Sequence, residues 1–190
     1  PPMSEASLPS TSTASETERA PRYWIKTYGC QMNVHDSEKY AGLLTEMGYV
    51  PADGPEEADV VLVNTCSVRE RAEHKLFSRL GELRAGRPSG DQILAVTGCV
   101  AQQEGEQLFR RAGQADVVVG TQAIRQLPTL LDLAVNGGRR QIDISPYDDV
   151  SFPLGVTVRG EAVKAYVTIV EGCNDHCAFC VVPYTRGHER

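Results

Sequence analysis

Short apolar runs alternate along the chain with stretches in which apolar residues recur at helical spacing, beginning at Tyr23. This alternation predicts a parallel sheet, because each strand needs a crossover helix before the next parallel strand can form. The predicted strands cover residues 23–27, 59–63, 93–96 and 116–119, and the predicted helices cover residues 34–47, 67–83, 102–112 and 124–135. We therefore expect an α/β fold of flavodoxin or Rossmann type, with an open parallel sheet and helices on both faces.

Local sequence signals mark the ends of two of these helices. Asn33 is a candidate N-cap of the first helix, and Gly48 is the residue expected to end it. The sequence from Ser67 to Glu70 has the form of a capping box, so it is expected to open the second helix.

Four segments differ in composition and predict the domain organisation. Residues 1–21 are mostly Ser, Thr, Glu and Pro, and predict a disordered tail without the features of a secretory signal or a mitochondrial presequence. Residues 22–135 form the predicted sheet domain. The Gly- and Pro-containing segment 136–160 is the predicted linker. The apolar run 163–170 then begins a second domain, which we assign to residues 161–190.

Composition narrows the class of protein. With 190 residues and 41% apolar content, the chain can bury an ordinary core, and it has no run of the roughly 18 apolar residues that span a membrane. We expect a cytoplasmic protein, in which six cysteines favour metal or redox chemistry over disulfides. The net charge of −6 is unfavourable for binding nucleic acid but does not exclude it.

Three cysteines, Cys173, Cys177 and Cys180, lie within eight positions, directly after the run 163–170. This spacing suits a loop that binds three irons of a 4Fe-4S cluster and leaves the fourth iron open for a substrate or cofactor. The alternative is zinc, bound by Cys177 and Cys180 with His176 or His188, although no second cysteine pair follows to complete such a site.

The other three cysteines follow the first three predicted strands at Cys30, Cys66 and Cys99. Because parallel strands end at one edge of their sheet, we expect these side chains to come together there. Gly29 and Gly98 would allow tight turns beside a bulky cofactor. Cysteines that merely fill the core are one alternative, and a flavin or nucleotide is another, although no Gly-x-Gly-x-x-Gly loop follows the first strand.

The sequences around the cysteines resemble the radical S-adenosylmethionine methylthiotransferases, and within that family the MiaB-type branch that modifies tRNA. The strings are TYGCQMNVHDSE at 27–38, NTCSVRE at 64–70, GCVAQQE at 98–104 and VVPYTRG at 181–187. Gln31, Met32 and Asn33 favour the tRNA branch over the branch that acts on a ribosomal protein. The resemblance covers residues 22–190.

This resemblance implies transfer of a methylthio group to carbon 2 of an isopentenyl-type adenosine at tRNA position 37. Cys173, Cys177 and Cys180 would hold the radical cluster, whose open iron binds S-adenosylmethionine and yields a deoxyadenosyl radical. Cys30, Cys66 and Cys99 would hold an auxiliary 4Fe-4S cluster that carries the transferred sulfur. The implied partners are tRNA and an electron donor such as a flavodoxin or ferredoxin, and we expect a monomer that binds no membrane. No catalytic residue is assigned.

The family's radical domain is a (β/α) barrel, which needs on the order of 200 residues, whereas residues 161–190 suffice for its first strand and cluster loop. The resemblance therefore implies a truncated barrel and an N-terminal fragment that is inactive alone. Two other functions stay open: methylthiolation of a ribosomal protein, and a non-catalytic iron–sulfur or zinc module that binds RNA or a protein.

Several residues near the cysteines are further candidates for the site. Arg186 could contact a cofactor or substrate anion, or form a salt bridge. Asn33 and Asn64 could orient cluster cysteines, although helix capping explains Asn33 equally well. Phe179 could shield a cluster from water or simply pack. Tyr184 and Glu189 are further candidates after the cluster loop.

Overall fold

The computed structural model of the protein describes residues 19–67, 70–86, 92–138, 140–146, 158 and 163–190. Its strands are β1 (Arg22–Tyr28), β2 (Val50–Pro51), β3 (Val60–Thr65), β4 (Ile93–Gly98), β5 (Val117–Val119) and β6 (Gln141–Asp143). Its helices are α1 (Gln31–Glu46), α2 (Glu70–Ala85), α3 (Cys99–Glu104), α4 (Gln107–Arg111), α5 (Leu127–Val135) and α6 (Val182–Arg186).

The six strands form one parallel sheet in the order β2-β1-β3-β4-β5-β6. The predicted α/β fold with an open parallel sheet is therefore confirmed. The strand order reverses between β1 and β3, and in open α/β sheets such a switch point is where ligands bind, at the carboxyl edge.

Alternate residues of the central strands enter two separate cores, which explains why these strands read as continuous apolar runs. In β3, Val60 and Leu62 pack on one face, and Val61 and Val63 pack on the other. Helices α1 and α5 cover the first face, while α2, α3 and α4 cover the second. Helices on both faces of the sheet are thus confirmed.

Several element boundaries differ from the sequence-based expectation. The first helix begins at Gln31 with Cys30 as its N-cap, so the assignment of Asn33 as the N-cap is wrong. The capping role of Asn33 is nevertheless confirmed, because its side chain accepts a hydrogen bond from the Cys30 N–H as the third residue of a capping box. The predicted helix 102–112 is two helices, because Gly105 has a φ of 52° and interrupts it between α3 and α4. The second helix begins at Glu70, but residues 68 and 69 lie outside the described residues, so the capping box stays a prediction.

Strands β2 and β6 were not predicted, because segments of two and three residues are too short to show a period. Strand β6 lies inside the segment 136–160, which the sequence predicts as a linker, and it pairs with β5. Most of the remaining linker and residues 1–18 of the predicted tail lie outside the described residues. At the end of the predicted tail, the Arg19 Nη2 forms a salt bridge of 2.6 Å with the Asp59 Oδ1.

The apolar run 163–170 forms no strand with any part of the chain that the structure describes. Its assignment to a second domain stays a prediction. In the same described residues, no helix is long and apolar enough to cross a membrane.

Candidate functional site

The carboxyl edge of the sheet brings Cys30, Cys66 and Cys99 to the ends of three neighbouring strands. Cys66 directly follows β3, Cys99 directly follows β4, and Cys30 lies two residues beyond β1. The register pairs Tyr28 with Thr65 and Thr65 with Gly98, so the three strands end at the same level. Cys66 and Cys99 are buried, whereas Cys30 is exposed.

Two buried amides connect the Cys30 loop to the end of β3. The Asn33 side-chain oxygen accepts hydrogen bonds from the Cys30 backbone N–H and thiol, each at 3.3 Å. The Asn33 Nδ2 donates to the Asn64 Oδ1 at 3.1 Å and to the Thr65 backbone carbonyl at 3.3 Å. The Asn64 Nδ2 in turn donates to the Asn33 backbone carbonyl at 2.8 Å and to the Ser37 hydroxyl at 3.0 Å. Because both amides are fully buried, this network orients Cys30 relative to Cys66.

Gly98 allows β3 and β4 to approach each other closely beside the cysteines. Its φ of 89° and ψ of −161° lie in a region that only glycine occupies readily. A Cβ atom at this position would also overlap the Asn64 side chain and the Thr65 backbone. The expectation that Gly98 permits a tight turn is therefore confirmed.

The second cysteine group lies in a loop whose two ends are hydrogen-bonded to each other. Glu171 and Arg190 exchange two backbone hydrogen bonds of 3.0 and 2.9 Å, and the Cys173 N–H donates to the Gly187 carbonyl at 3.1 Å. A turn between Cys177 and Cys180 brings these two residues together through a backbone hydrogen bond of 3.0 Å. Cys177 is exposed, and Cys173 and Cys180 are half-buried.

The buried guanidinium of Arg186 connects this loop to the sheet domain. Its Nη2 lies 2.7 Å from the Asp36 Oδ2 of α1, and its Nη1 donates to the Glu171 Oε1 at 3.1 Å. All three side chains are at most 4% exposed. The salt-bridge assignment of Arg186 is thereby confirmed. Removing one partner from such a buried pair typically costs about 3–5 kcal/mol.

The ion pair also lies beside Cys99. Burial alone would lower the pKa of Arg186, but Asp36, Cys99 and Glu171 raise that pKa well above its ordinary value. The guanidinium therefore stays charged and places a buried positive charge beside Cys99. The sixteen-residue helix α1, which begins at Gln31 directly after its N-cap Cys30, also directs its positive dipole end toward this edge.

Sequence reasoning missed Asp36, Lys39 and Glu171 as members of this site. Asp36 and Lys39 are buried in α1, at helical spacing from the core residues Tyr40 and Leu43. Charged residues on the core-facing side of a helix were the signal that could have identified them, because such residues are rarely buried unless paired. Glu171 had no comparable signal in the sequence.

Among the described residues, no three His, Cys, Asp or Glu side chains are grouped so as to hold one metal ion. Ligands of one ion such as zinc all lie about 2.0–2.3 Å from it. Three thiolates on a 4Fe-4S cluster bind three different irons, so a single-ion arrangement is not required of them. The first triad fits a cluster by its donors, which are thiols at one sheet edge beside a buried cation.

Other candidate residues near the second triad have simpler surroundings. Phe179 is fully exposed, so neither its expected shielding role nor core packing is seen in the described structure. Tyr184 is also exposed, and its ring lies 6.3 Å from that of His176. The His188 Nδ1 lies 3.2 Å from the Asn174 Oδ1, which also accepts a hydrogen bond from the Glu189 N–H.

Comparison with known proteins identifies the family. The model of the uncharacterized protein family UPF0004 matches residues 22–120, just over half of the chain, and this region contains Cys30, Cys66 and Cys99. The chain belongs to the UPF0004 family.

The curated relatives of this UPF0004 chain include proteins named tRNA-2-methylthio-N(6)-dimethylallyladenosine synthase. The relative from Alkalilimnicola ehrlichii is 47% identical over 169 residues, which cover 88% of the chain and 38% of the relative. Those from Ralstonia nicotianae and Xylella fastidiosa strain M12 are each 48% identical over 170 residues, covering 37% and 34% of their lengths. The expected resemblance to MiaB-type sequences is confirmed. The chain spans little more than a third of these relatives.

Proposed function

We propose that this chain is the N-terminal part of a tRNA methylthiotransferase, acting on carbon 2 of an isopentenyl-type adenosine at tRNA position 37. The observation that carries the proposal is the arrangement at the carboxyl edge, where Arg186 joins the loop of one cysteine triad to the helix that follows the first cysteine of the other. The name of the relatives that are 47–48% identical supports the substrate and the reaction.

Each triad would hold one 4Fe-4S cluster. Cys30, Cys66 and Cys99 would bind the auxiliary cluster, and Cys173, Cys177 and Cys180 would bind the cluster that takes S-adenosylmethionine at its open iron. When bound, these groups supply the one-electron chemistry and the sulfur that acid–base side chains cannot provide for an unactivated aromatic C–H bond.

The residues of the chain orient the ligands and adjust their charge. Asn33 and Asn64 hold the Cys30 loop against β3, and Gly98 lets the backbone approach closely at Cys99. The burial of Cys66 and Cys99 excludes water from that side of the site. Arg186 places a buried positive charge beside Cys99.

The remainder of a longer enzyme would provide the S-adenosylmethionine pocket and the RNA contacts. A net charge of −6 agrees with this division, because phosphate contacts require Lys and Arg. We infer that the 190-residue chain is inactive alone, and that the whole enzyme works in the cytoplasm with a flavodoxin or ferredoxin as reductant. Methylthio-adenosine formation by the isolated chain would contradict this division.

Iron analysis after anaerobic reconstitution tests the proposal. We expect about eight irons per chain, because two 4Fe-4S clusters form. Replacing Cys30, Cys66 and Cys99 with Ala should leave about four, and so should replacing Cys173, Cys177 and Cys180, because each triad holds its own cluster. One tightly bound zinc without iron would instead support a binding module. Activity of the whole enzyme on ribosomal protein but not on tRNA that carries isopentenyl-adenosine would contradict the assignment of tRNA as the substrate.

A further inference from the structure

We propose that Arg186 is a positioning residue that sets the cysteine loop 173–180 at a fixed place relative to Cys30, Cys66 and Cys99. The consequence for catalysis rests on the proposed function, whereas the placement of the loop does not. Arg186 is only 3% exposed and touches an acidic residue from each of the two parts that it joins.

The charges around Arg186 alternate in sign across the junction. From the sheet domain outward, they are Lys39, Asp36, Arg186, Glu171 and Arg190. The Lys39 Nζ lies 3.8 Å from the Asp36 Oδ1, and the Arg190 Nη2 lies 3.6 Å from the Glu171 Oε2. Each carboxylate therefore has a cation on both sides, and Arg186 contacts both carboxylates.

The positions of the two acidic residues make this network relevant to the cysteines. Asp36 lies in α1, six residues after its N-cap Cys30, and Glu171 lies two residues before Cys173. A shift of the Arg186 side chain would therefore move the loop relative to α1. Thr121, after β5, adds a second attachment by donating a hydrogen bond to the Thr185 carbonyl.

An arginine suits this role better than a lysine. Two separate guanidinium nitrogens contact the two carboxylates, which a single ammonium group cannot reproduce with the same geometry. Because all three side chains are buried, removing one partner leaves an uncompensated charge, so the arrangement tolerates little displacement.

Precise placement matters if each triad holds a reacting group. Bound groups react efficiently only within a narrow range of distance and orientation, and a displacement of about 1 Å can lower a rate by roughly a hundredfold. The network would then control the separation of the two cofactors without touching either reacting atom.

Hydrogen–deuterium exchange of the chain without clusters tests the placement itself. In Arg186→Met, we expect amides of residues 171–190 to exchange at least about tenfold faster, while β1, β3 and β4 keep their protection, because only the junction opens. Arg186→Lys should recover part of the protection. Arg110→Met, at an exposed position on α4, is the matched control and should behave as wild type.

Unchanged exchange in residues 171–190 of Arg186→Met would overturn the proposal, as would an equal loss of protection throughout the sheet. If Arg186→Met does not fold, Asp36→Asn tests the same ion pair by changing the partner of Arg186 on α1. This isosteric change should accelerate exchange of residues 171–190 selectively, and failure to do so would also overturn the proposal.

Electron paramagnetic resonance of the reconstituted chain tests the consequence for the cofactors. Arg186→Met should retain about eight irons but show a weaker magnetic interaction between the reduced clusters, because their separation is no longer fixed. A wild-type chain without iron would sink the proposed function and leave the exchange result valid. Two clusters with unchanged interaction in Arg186→Met would sink the positioning role alone.

Discussion

Gly98 shows how one residue sets the geometry of the cysteine edge. Its backbone conformation is unfavourable for any residue with a Cβ atom, and the space that a Cβ would occupy is filled by Asn64 and Thr65. The sequence alone indicated a tight turn beside Cys99, but the identity of the neighbours follows only from the pairing of β3 with β4. The backbone conformation and the close packing therefore both disfavour a Cβ atom at position 98.

We predict that Gly98→Ala lowers the free energy of unfolding by about 1–3 kcal/mol or more, since backbone strain and overlap add. Gly81→Ala is the matched control, because Gly81 lies in α2 with open space around the position of a Cβ. That change should raise the free energy of unfolding by roughly 0.5–1 kcal/mol, as expected for glycine in a helix interior. Urea denaturation measures both, and equal effects of the two substitutions would contradict the argument.

The polar residues of the edge differ in how far the sequence revealed them. Asn33 and Asn64 were candidates because they flank cysteines, and the hydrogen bonds between them agree with an orienting role. Arg186 was ambiguous between an anion contact and a salt bridge, because a sequence does not indicate which carboxylates lie within reach. The structure resolves the ambiguity through Asp36 and Glu171.

At the scale of elements, periodicity predicted strands and long helices but not their breaks. Apolar runs such as Val60 to Val63 are unmistakable because both faces of the strand are buried. The break at Gly105 was missed, since a helical spacing of apolar residues continues across it from α3 into α4. Strands β2 and β6 depend on partners in the sheet and carry no pattern of their own.

Helix α5 offers a test of which face enters the core. Leu131 is fully buried against the sheet, whereas Leu133 on the same helix is 50% exposed. We predict that Leu131→Ala lowers the free energy of unfolding by about 2–5 kcal/mol, because it leaves a cavity. Leu133→Ala should change it by no more than about 0.5 kcal/mol. Chemical denaturation decides, and a larger loss for Leu133→Ala would mean that the helix packs with its other face.

At the scale of the whole molecule, buried charged groups of the sheet domain and of the cysteine loop interact with one another. The fully buried Tyr40 of α1 interacts with these groups, and its pKa is raised by burial first and by Asp36 second, while Thr97 and Arg186 oppose the shift. A phenol with a raised pKa keeps its proton in the folded state beyond the ordinary value near 10. The unfolded chain releases that proton earlier as the pH rises.

We therefore predict a loss of stability above about pH 10, to which Tyr40 contributes roughly 1.4 kcal/mol per pH unit. The contribution is fully present below that pH and disappears as the pH rises toward the folded-state value. Tyr40→Phe should make the decline less steep, and Tyr184→Phe, at an exposed position, should leave it unchanged. Urea denaturation at several alkaline pH values measures the slopes, and identical slopes for wild type and Tyr40→Phe would refute the assignment.

By itself, the sequence determined the parallel α/β architecture and the positions of six cysteines at strand ends and in one short loop. These features are local, because periodicity follows from burial and spacing follows from covalent order. Only the tertiary structure decided that Arg186 meets Asp36 and Glu171, and that Gly98 packs against Asn64. Such contacts join residues far apart in the chain, so they depend on how the elements pack and leave no pattern in the sequence.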